Sequence, residues 1–207
     1  MQAAAMRRGV VTLDREAFAA ACSQLMEMVC GQGKPQMIVG IPTGGMYVAE
    51  AMSDAASWLP IFPLTCRRPS TRHKRAHGLK TLVRSLPRPV LDRLRLIEHA
   101  VLTRQPKAPP QGSFRIDDTE LDVLRDAVAA AGARPSILVV DDAVDTGTTL
   151  SVVLDAVRRC APHAATIRSA AITVTTEHPL ISPDYALYSR QLCRFPWSLD
   201  AMTAGRS

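Results

Sequence analysis

Asp141, Asp142, Asp145, Thr146, Gly147, Thr148 and Thr149 crowd one short stretch, LVVDDAVDTGTTL, running from Leu138 to Leu150. Ionised carboxylates only accept hydrogen bonds, so two neighbouring ones suit the paired hydroxyls of a vicinal diol. The turn from Asp145 to Thr149 needs its glycine and then opens a helix whose first amides are unpaired. With the threonine hydroxyls, those amides form a nest for a monophosphate. A phosphorylated sugar satisfies both halves. Calcium does not fit, because Asp141, Ala143 and Asp145 would fill the first ligand positions and Ala143 offers no oxygen side chain. A nucleotide P-loop does not fit either, since no GxxxxGK[ST] occurs here. A plain solvated turn would leave three carboxylates repelling one another with no metal or ligand to relieve them.

These residues need a platform, and the flanking sequence supplies one. Ser136 to Val140 is a short apolar run rich in β-branched residues, which predicts a strand buried on both faces of a parallel sheet, giving way to a loop at Asp141 and Asp142. The carboxyl ends of such strands are where ligands bind in open α/β sheets. A second buried strand is expected at Gln36 to Ile41, followed by Pro42, Thr43, Gly44 and Gly45 and then a helix from Met46 to Ser57. Paired glycines let backbone amides approach an anion closely.

The rest of the chain repeats the same scheme. Helical spacing runs over Asp14 to Cys30 (Phe18, Ala21, Leu25, Met28) with Gly31 to end it, and over Thr119 to Ala131 (Leu121, Leu124, Val128) with Gly132. Lys34-Pro35 or Arg134-Pro135 and a buried strand follow each. Further strands are expected at Leu59 to Cys66 and Thr166 to Thr175, with a helix from Thr148 to Cys160 between the last two motifs. The pattern implies an α/β fold: one parallel sheet with helices on both faces.

The Asp-Asp-x-x-Asp-Thr-Gly-x-Thr run, preceded by two hydrophobic residues, resembles the signature of the type I phosphoribosyltransferases at every fixed position. The resemblance implies the fold of that family, with Asp141 and Asp142 on the ribose hydroxyls of phosphoribosyl diphosphate (PRPP) and on magnesium. Asp145, Thr146, Gly147, Thr148 and Thr149 would wrap the 5-phosphate, with Asp145 near the incoming base as a proton acceptor. It also implies that Thr43, Gly44 and Gly45 carry the diphosphate, through a cis Pro42–Thr43 peptide. Many relatives have a basic residue where Thr43 stands, so here the diphosphate needs magnesium or another cationic segment.

Such a segment exists. Arg67 to Lys107 holds twelve Lys and Arg against Asp92 and Glu98, a net of +10; the whole chain carries +6, so the remainder carries −4. The resemblance places a mobile catalytic loop here, enlarged by a basic, largely helical insertion (67–112). Val90, Leu91, Leu94, Ile97, Val101 and Leu102 keep helical period within it, and Pro106 to Gly112 forms a linker. Arg67, Arg68, Arg72, Lys74 and Arg75 are candidates for diphosphate contact, Arg67 and Arg68 foremost. A solvated, oligomer-forming face is the competing reading, and for Arg84 to Lys107 the better one. A nucleic-acid stripe is the third reading, and the absence of aromatics from Arg67 to Lys107 argues against base stacking there.

At the C-terminus (176–207), Pro183-Asp184-Tyr185 and Phe195-Pro196-Trp197 resemble the hood of the hypoxanthine and xanthine group, with Tyr185 or Trp197 stacking on a purine or filling a hydrophobic gap. With 207 residues and 47% hydrophobic content, a single domain is expected. Five scattered cysteines without CxxC spacing argue against a disulfide framework or a zinc site and for the reducing cytoplasm. No apolar run is long enough to span a membrane. The expectation is therefore a magnesium-dependent, homodimeric cytoplasmic enzyme that joins a nucleobase to the phosphoribosyl group. A PRPP-sensing regulator that binds nucleic acid, and a partner-binding subunit, remain the alternatives.

Overall fold

The computed structural model describes residues 10–56, 59–67 and 114–198. The basic insertion beyond Arg67, including Arg68, Arg72, Lys74 and Arg75, the presumed helix and the linker, lies outside the described residues, as do the last nine.

Five parallel strands form the central sheet in the order β3-β2-β6-β7-β8: β2 (Met37–Gly40), β3 (Ile61–Pro63), β6 (Ser136–Val144), β7 (Thr166–Val174) and β8 (Tyr185–Ser189). Side chains alternate across each strand, so the sheet buries two apolar layers. Ile38, Leu138, Val140, Ala170 and Ile172 pack against α1 (Arg15–Cys30) and α2 (Gly44–Ala55). Val39, Ile137, Val139 and Ala171 pack against α3 (Asp118–Ala130) and α4 (Thr148–Cys160). This is the predicted architecture, with helices on both faces.

Several boundaries differ from the sequence reading. β6 does not stop at Val140: it continues to Val144, and Asp141, Ala143 and Val144 keep register with Ala171, Thr173 and Val174 of β7. The acidic pair therefore stands inside a strand. The single strand expected from Leu59 to Cys66 is two short ones, β3 and β4 (Cys66–Arg67), parted where the Leu64 amide bonds to the Gly40 carbonyl. β4 pairs antiparallel with β5 (Arg115–Ile116), which joins the two ends of the basic insertion. The neck is reinforced by Glu120, whose carboxylate accepts from both the amide and the hydroxyl of Thr65. Gly31 keeps a right-handed helical φ of −58°, and it is Gly33, at φ 108°, that turns the chain after α1.

The C-terminal segment is more regular than a hood alone would require. β8 extends the main sheet, and β9 (Leu192–Arg194) pairs in parallel with β1 (Val10–Thr12). None of the five cysteines forms a disulfide.

Candidate active site

The chain leaves β2 for α2 on one face of the sheet, and leaves the neighbouring strand β6 for α4 on the other face. Where connections part in this way, the carboxyl ends of the two strands enclose a crevice, the usual ligand site of an open α/β sheet. Both predicted loops leave the sheet at that end.

The upstream loop carries a cis peptide between Pro42 and Thr43, as the resemblance implies. Thr43 then starts α2 without donating or accepting a side-chain cap, so the helix begins with amides that no capping side chain serves. The glycines have a structural role beyond ligand approach. A Cβ on Gly45 would lie 2.6 Å from the Val140 carbonyl oxygen, and one on Gly44 would lie 2.1 Å from the Asp142 carboxylate. The first turn of α2 therefore rests directly on the end of β6, backbone against backbone.

The downstream loop is braced from the other side. Gly147 has φ 76°, in the left-handed region that favours glycine, and a Cβ there would meet the Ile181 carbonyl oxygen at 2.6 Å. The Leu180 amide bonds to the Thr146 carbonyl (2.7 Å), Thr175 Oγ1 donates to Asp145 Oδ1 (3.1 Å), and Thr176 Oγ1 donates to the Asp145 carbonyl (3.0 Å). Thr146 and Thr148 hydroxyls lie 3.1 Å apart. Asp145 is exposed, while Thr146, Thr148 and Thr149 are half-buried.

The acidic pair lies near the end of β6 rather than in the loop after it. Asp142 turns to Gly44, and Asp141 Oδ1 accepts the Asp142 amide at 2.9 Å. The expected change from strand to loop at Asp141 and Asp142 is corrected: β6 runs through both, and the loop starts at Asp145. Burial raises the Asp142 pKa, opposed by hydrogen bonds from its surroundings. Burial likewise pushes the nearby Cys193 thiol up to about 11, with a hydrogen bond to Thr173 working against it and the Asp142 charge adding to it.

The remaining candidates are distributed more widely. Arg67 is exposed and loosely paired with Asp117 (3.6 Å), at the neck of the insertion. Tyr185 begins β8 level with Ala170, and its hydroxyl lies 3.4 Å from Arg168 Nη1, towards the amino ends of the strands. Its motif has a structural role as well: Asp184 accepts from the amide and hydroxyl of Ser169 at 2.7 and 2.8 Å. Trp197 is packed in an aromatic cluster, stacked on Phe195 (4.9 Å between centroids) and on Tyr47 (4.6 Å), with Phe18 edge-on at 5.0 Å. Tyr47 was not singled out from sequence. It stands two residues after Gly45 and is 42% exposed, which makes it the open aromatic beside the start of α2.

Among the described residues no group of three His, Cys, Asp or Glu converges as a metal cage. Asp141 and Asp142 remain a donor set of one or two carboxylates, which suits a magnesium ion that keeps its waters and is shared with a substrate's phosphates.

The assembled geometry is that of a known fold. A purine phosphoribosyltransferase from Pyrococcus horikoshii superimposes with a TM-score of 0.57 at 20% identity, over 90% of this chain and 93% of that one. The xanthine-guanine-hypoxanthine phosphoribosyltransferase of Helicobacter pylori gives 0.59 at 16% identity, over 95% and 99%. A Neisseria gonorrhoeae protein of unassigned function, solved with bound ppGpp, gives 0.59 at 15% identity, over 98% and 97%. This chain has the fold of the type I phosphoribosyltransferases. Its sequence matches no protein-family model and no curated protein. No described helix is long and apolar enough to cross a membrane.

Proposed function

We propose that this protein is a phosphoribosyltransferase that moves the phosphoribosyl group of PRPP to a nucleobase, a purine by preference, with release of diphosphate. One observation carries the reading: the threonine-rich loop after the acidic end of β6 and the cis, glycine-paired loop after β2 leave the carboxyl ends of adjacent strands, each opening an uncapped helix. The full-length likeness to purine phosphoribosyltransferases supports it.

In this reading the amides and hydroxyls of Thr146 to Thr149 hold the 5-phosphate, Asp141 and Asp142 hold the ribose hydroxyls, and the backbone of Thr43 to Gly45 holds the diphosphate. Magnesium on the acidic pair and the diphosphate would neutralise the leaving group's charge. The C1–diphosphate bond breaks as the base nitrogen attacks from the opposite face. Carboxylates beside the ribose favour the positive charge that develops on the ring. Asp145, exposed at the rim, accepts the proton that the base nitrogen gives up. Arg67 supplies cationic charge that Thr43 lacks; Arg68, outside the described residues, is assigned with it. Trp197, half-buried and stacked on Tyr47, is the proposed base contact, and Tyr47 joins it on the strength of its exposure beside Gly45. The sequence candidate Tyr185 has its hydroxyl at Arg168, towards the opposite ends of the strands, and is not assigned to the base. We assign the enzyme to the cytoplasm as a homodimer, which sedimentation would test.

The decisive experiment is a screen of nucleobases for PRPP- and magnesium-dependent release of diphosphate. Hypoxanthine, xanthine or guanine should support release. Absence of release with every purine and pyrimidine, in protein shown to be folded, would overturn the activity. The ppGpp bound to the Neisseria protein makes that nucleotide a natural competitor to include in the same screen.

A further inference from the structure

The upstream loop meets the acidic end of β6 at one side chain, Asp142. The Asp142 carboxylate lies flat across the Cα of Gly44: a Cβ at Gly44 would fall 2.1 Å from Cγ, 2.1 Å from Oδ2 and 2.5 Å from Oδ1. A Cβ on the next glycine would meet the same strand, 2.6 Å from the Val140 carbonyl oxygen and 3.0 Å from Asp141 Cα. Meanwhile Thr43 provides no side-chain cap for α2. The start of this helix is thus held less by its own N-cap than by what it rests upon.

We propose that Asp142 is a positioning residue that locks the diphosphate loop to the ribose-binding strand, with Gly44 as its obligatory partner. The proposal rests on the reading of the site as a PRPP site. Asp142 sets where the Thr43–Gly45 backbone sits before any ligand arrives, so binding of the two halves of PRPP is coupled through a strand-to-helix contact. A residue that served only the ribose hydroxyls would have no influence on a ligand without ribose.

Inorganic diphosphate is such a ligand, titrated with and without magnesium because magnesium on the acidic pair would itself link Asp142 to the diphosphate; the lock requires the loss in both titrations. Diphosphate affinity, measured by calorimetry on the full chain, is expected to fall at least fivefold in Gly44→Ala and in Asp142→Ala, and the double variant to bind no worse than the weaker single, because contacting residues couple and distant ones act independently within about a factor of two. Ligand-free hydrogen exchange gives the second readout. The amides of residues 43–48 should exchange faster in both single variants and keep their protection in Asp142→Asn, which preserves the side chain's shape. Unchanged diphosphate affinity in Asp142→Ala would overturn the proposal. So would tighter binding, the result expected if Asp142 merely repelled the anion, and so would independent effects in the double variant. Wild-type protein that bound no magnesium diphosphate would refute the PRPP reading itself, and the lock would then stand or fall on the exchange pattern alone.

Discussion

Among the described residues, two helices begin with capping carboxylates and two do not, and the division follows position relative to the crevice. Asp14 accepts the Ala17 amide at 2.9 Å to start α1, and Asp117 accepts the Thr119 amide at 3.1 Å to start α3. α2 starts at Thr43 with no side-chain cap, and α4 starts at Gly147, which has no side chain to offer; the Thr148 amide reaches Thr146 Oγ1 only at 3.4 Å. A capping oxygen satisfies amides that a bound anion would otherwise use. The helices that give stability are closed at their starts, and those that face the crevice are left open.

The comparison breaks most directly at the acidic strand end. Asp141→Asn with Asp142→Asn should lower PRPP turnover more than tenfold, which is more than about 1.4 kcal/mol of barrier, while circular dichroism shows an intact fold. Turnover equal to wild type would remove both carboxylates from the mechanism.

Gly147→Ala tests the open start of α4. The left-handed φ of 76° costs a non-glycine residue about 1–2 kcal/mol, and the contact with the Ile181 backbone adds about 1–3 kcal/mol of overpacking. Thermal melting should show a drop of several degrees, at about 2–4 °C per kcal/mol for a chain of this size, together with weaker PRPP binding. A melting temperature unchanged within a degree would mean that the loop and the Leu180–Ile181 crossing are not joined as described.

At Arg67 the two kinds of role separate cleanly. Its ion pair with Asp117 is long and exposed, so Arg67→Ala should change stability by less than about 0.5 kcal/mol. Turnover should nevertheless fall more than tenfold if the guanidinium meets the diphosphate, a loss of about 1.4 kcal/mol. Loss of stability with full activity would reverse the assignment and make Arg67 a strut of the β4–β5 neck.

Much of this was legible because the apolar periodicities of strands and helices are strong. The β6 motif, the glycine pair, the cis peptide, α4 and the two-layered sheet follow from the residues at those positions or from the family they resemble. What was not legible depends on partners distant in sequence. Asp141 and Asp142 look like loop residues by composition, and only the ladder to β7 keeps them in a strand. β4 and β5 are too short to announce themselves and exist because they pair across the insertion. Trp197 reads as an open stacking platform until Phe18, Tyr47 and Phe195 close around it. Tyr47 reads as an ordinary amphipathic-helix residue until α2 is set against β6.

The buried carboxylate gives a pH signature. Burial raises the pKa of Asp142 in the fold above its unfolded value, so its contribution to stability is fully present below the ordinary carboxylate range and is lost as pH rises through the raised value. Asp142→Asn cannot ionise and should not suffer that loss. The melting temperature of the ligand-free variant, relative to wild type, should therefore climb between acidic and neutral pH. A difference that shrank over the same range would mean that Asp142 is stabilised as an anion, for instance by the amides of α2.

The smallest expected effect lies at a closed helix start, where the comparison demands stability without function. Asp14→Ala removes the oxygen that accepts the Ala17 amide, and losing an N-cap costs about 1 kcal/mol. That corresponds to roughly 2–4 °C in a protein of this length. α1 packs its Phe18, Cys22 and Leu25 face into the layer beneath α2, and its cap supplies no group to the crevice. Turnover at a temperature well below melting should stay within about twofold of wild type, since less than about 0.4 kcal/mol of barrier would then be involved. If Asp14→Ala instead cost activity out of proportion to stability, the start of α1 would belong to the site, and the division between closed and open helix starts would no longer separate scaffold from chemistry.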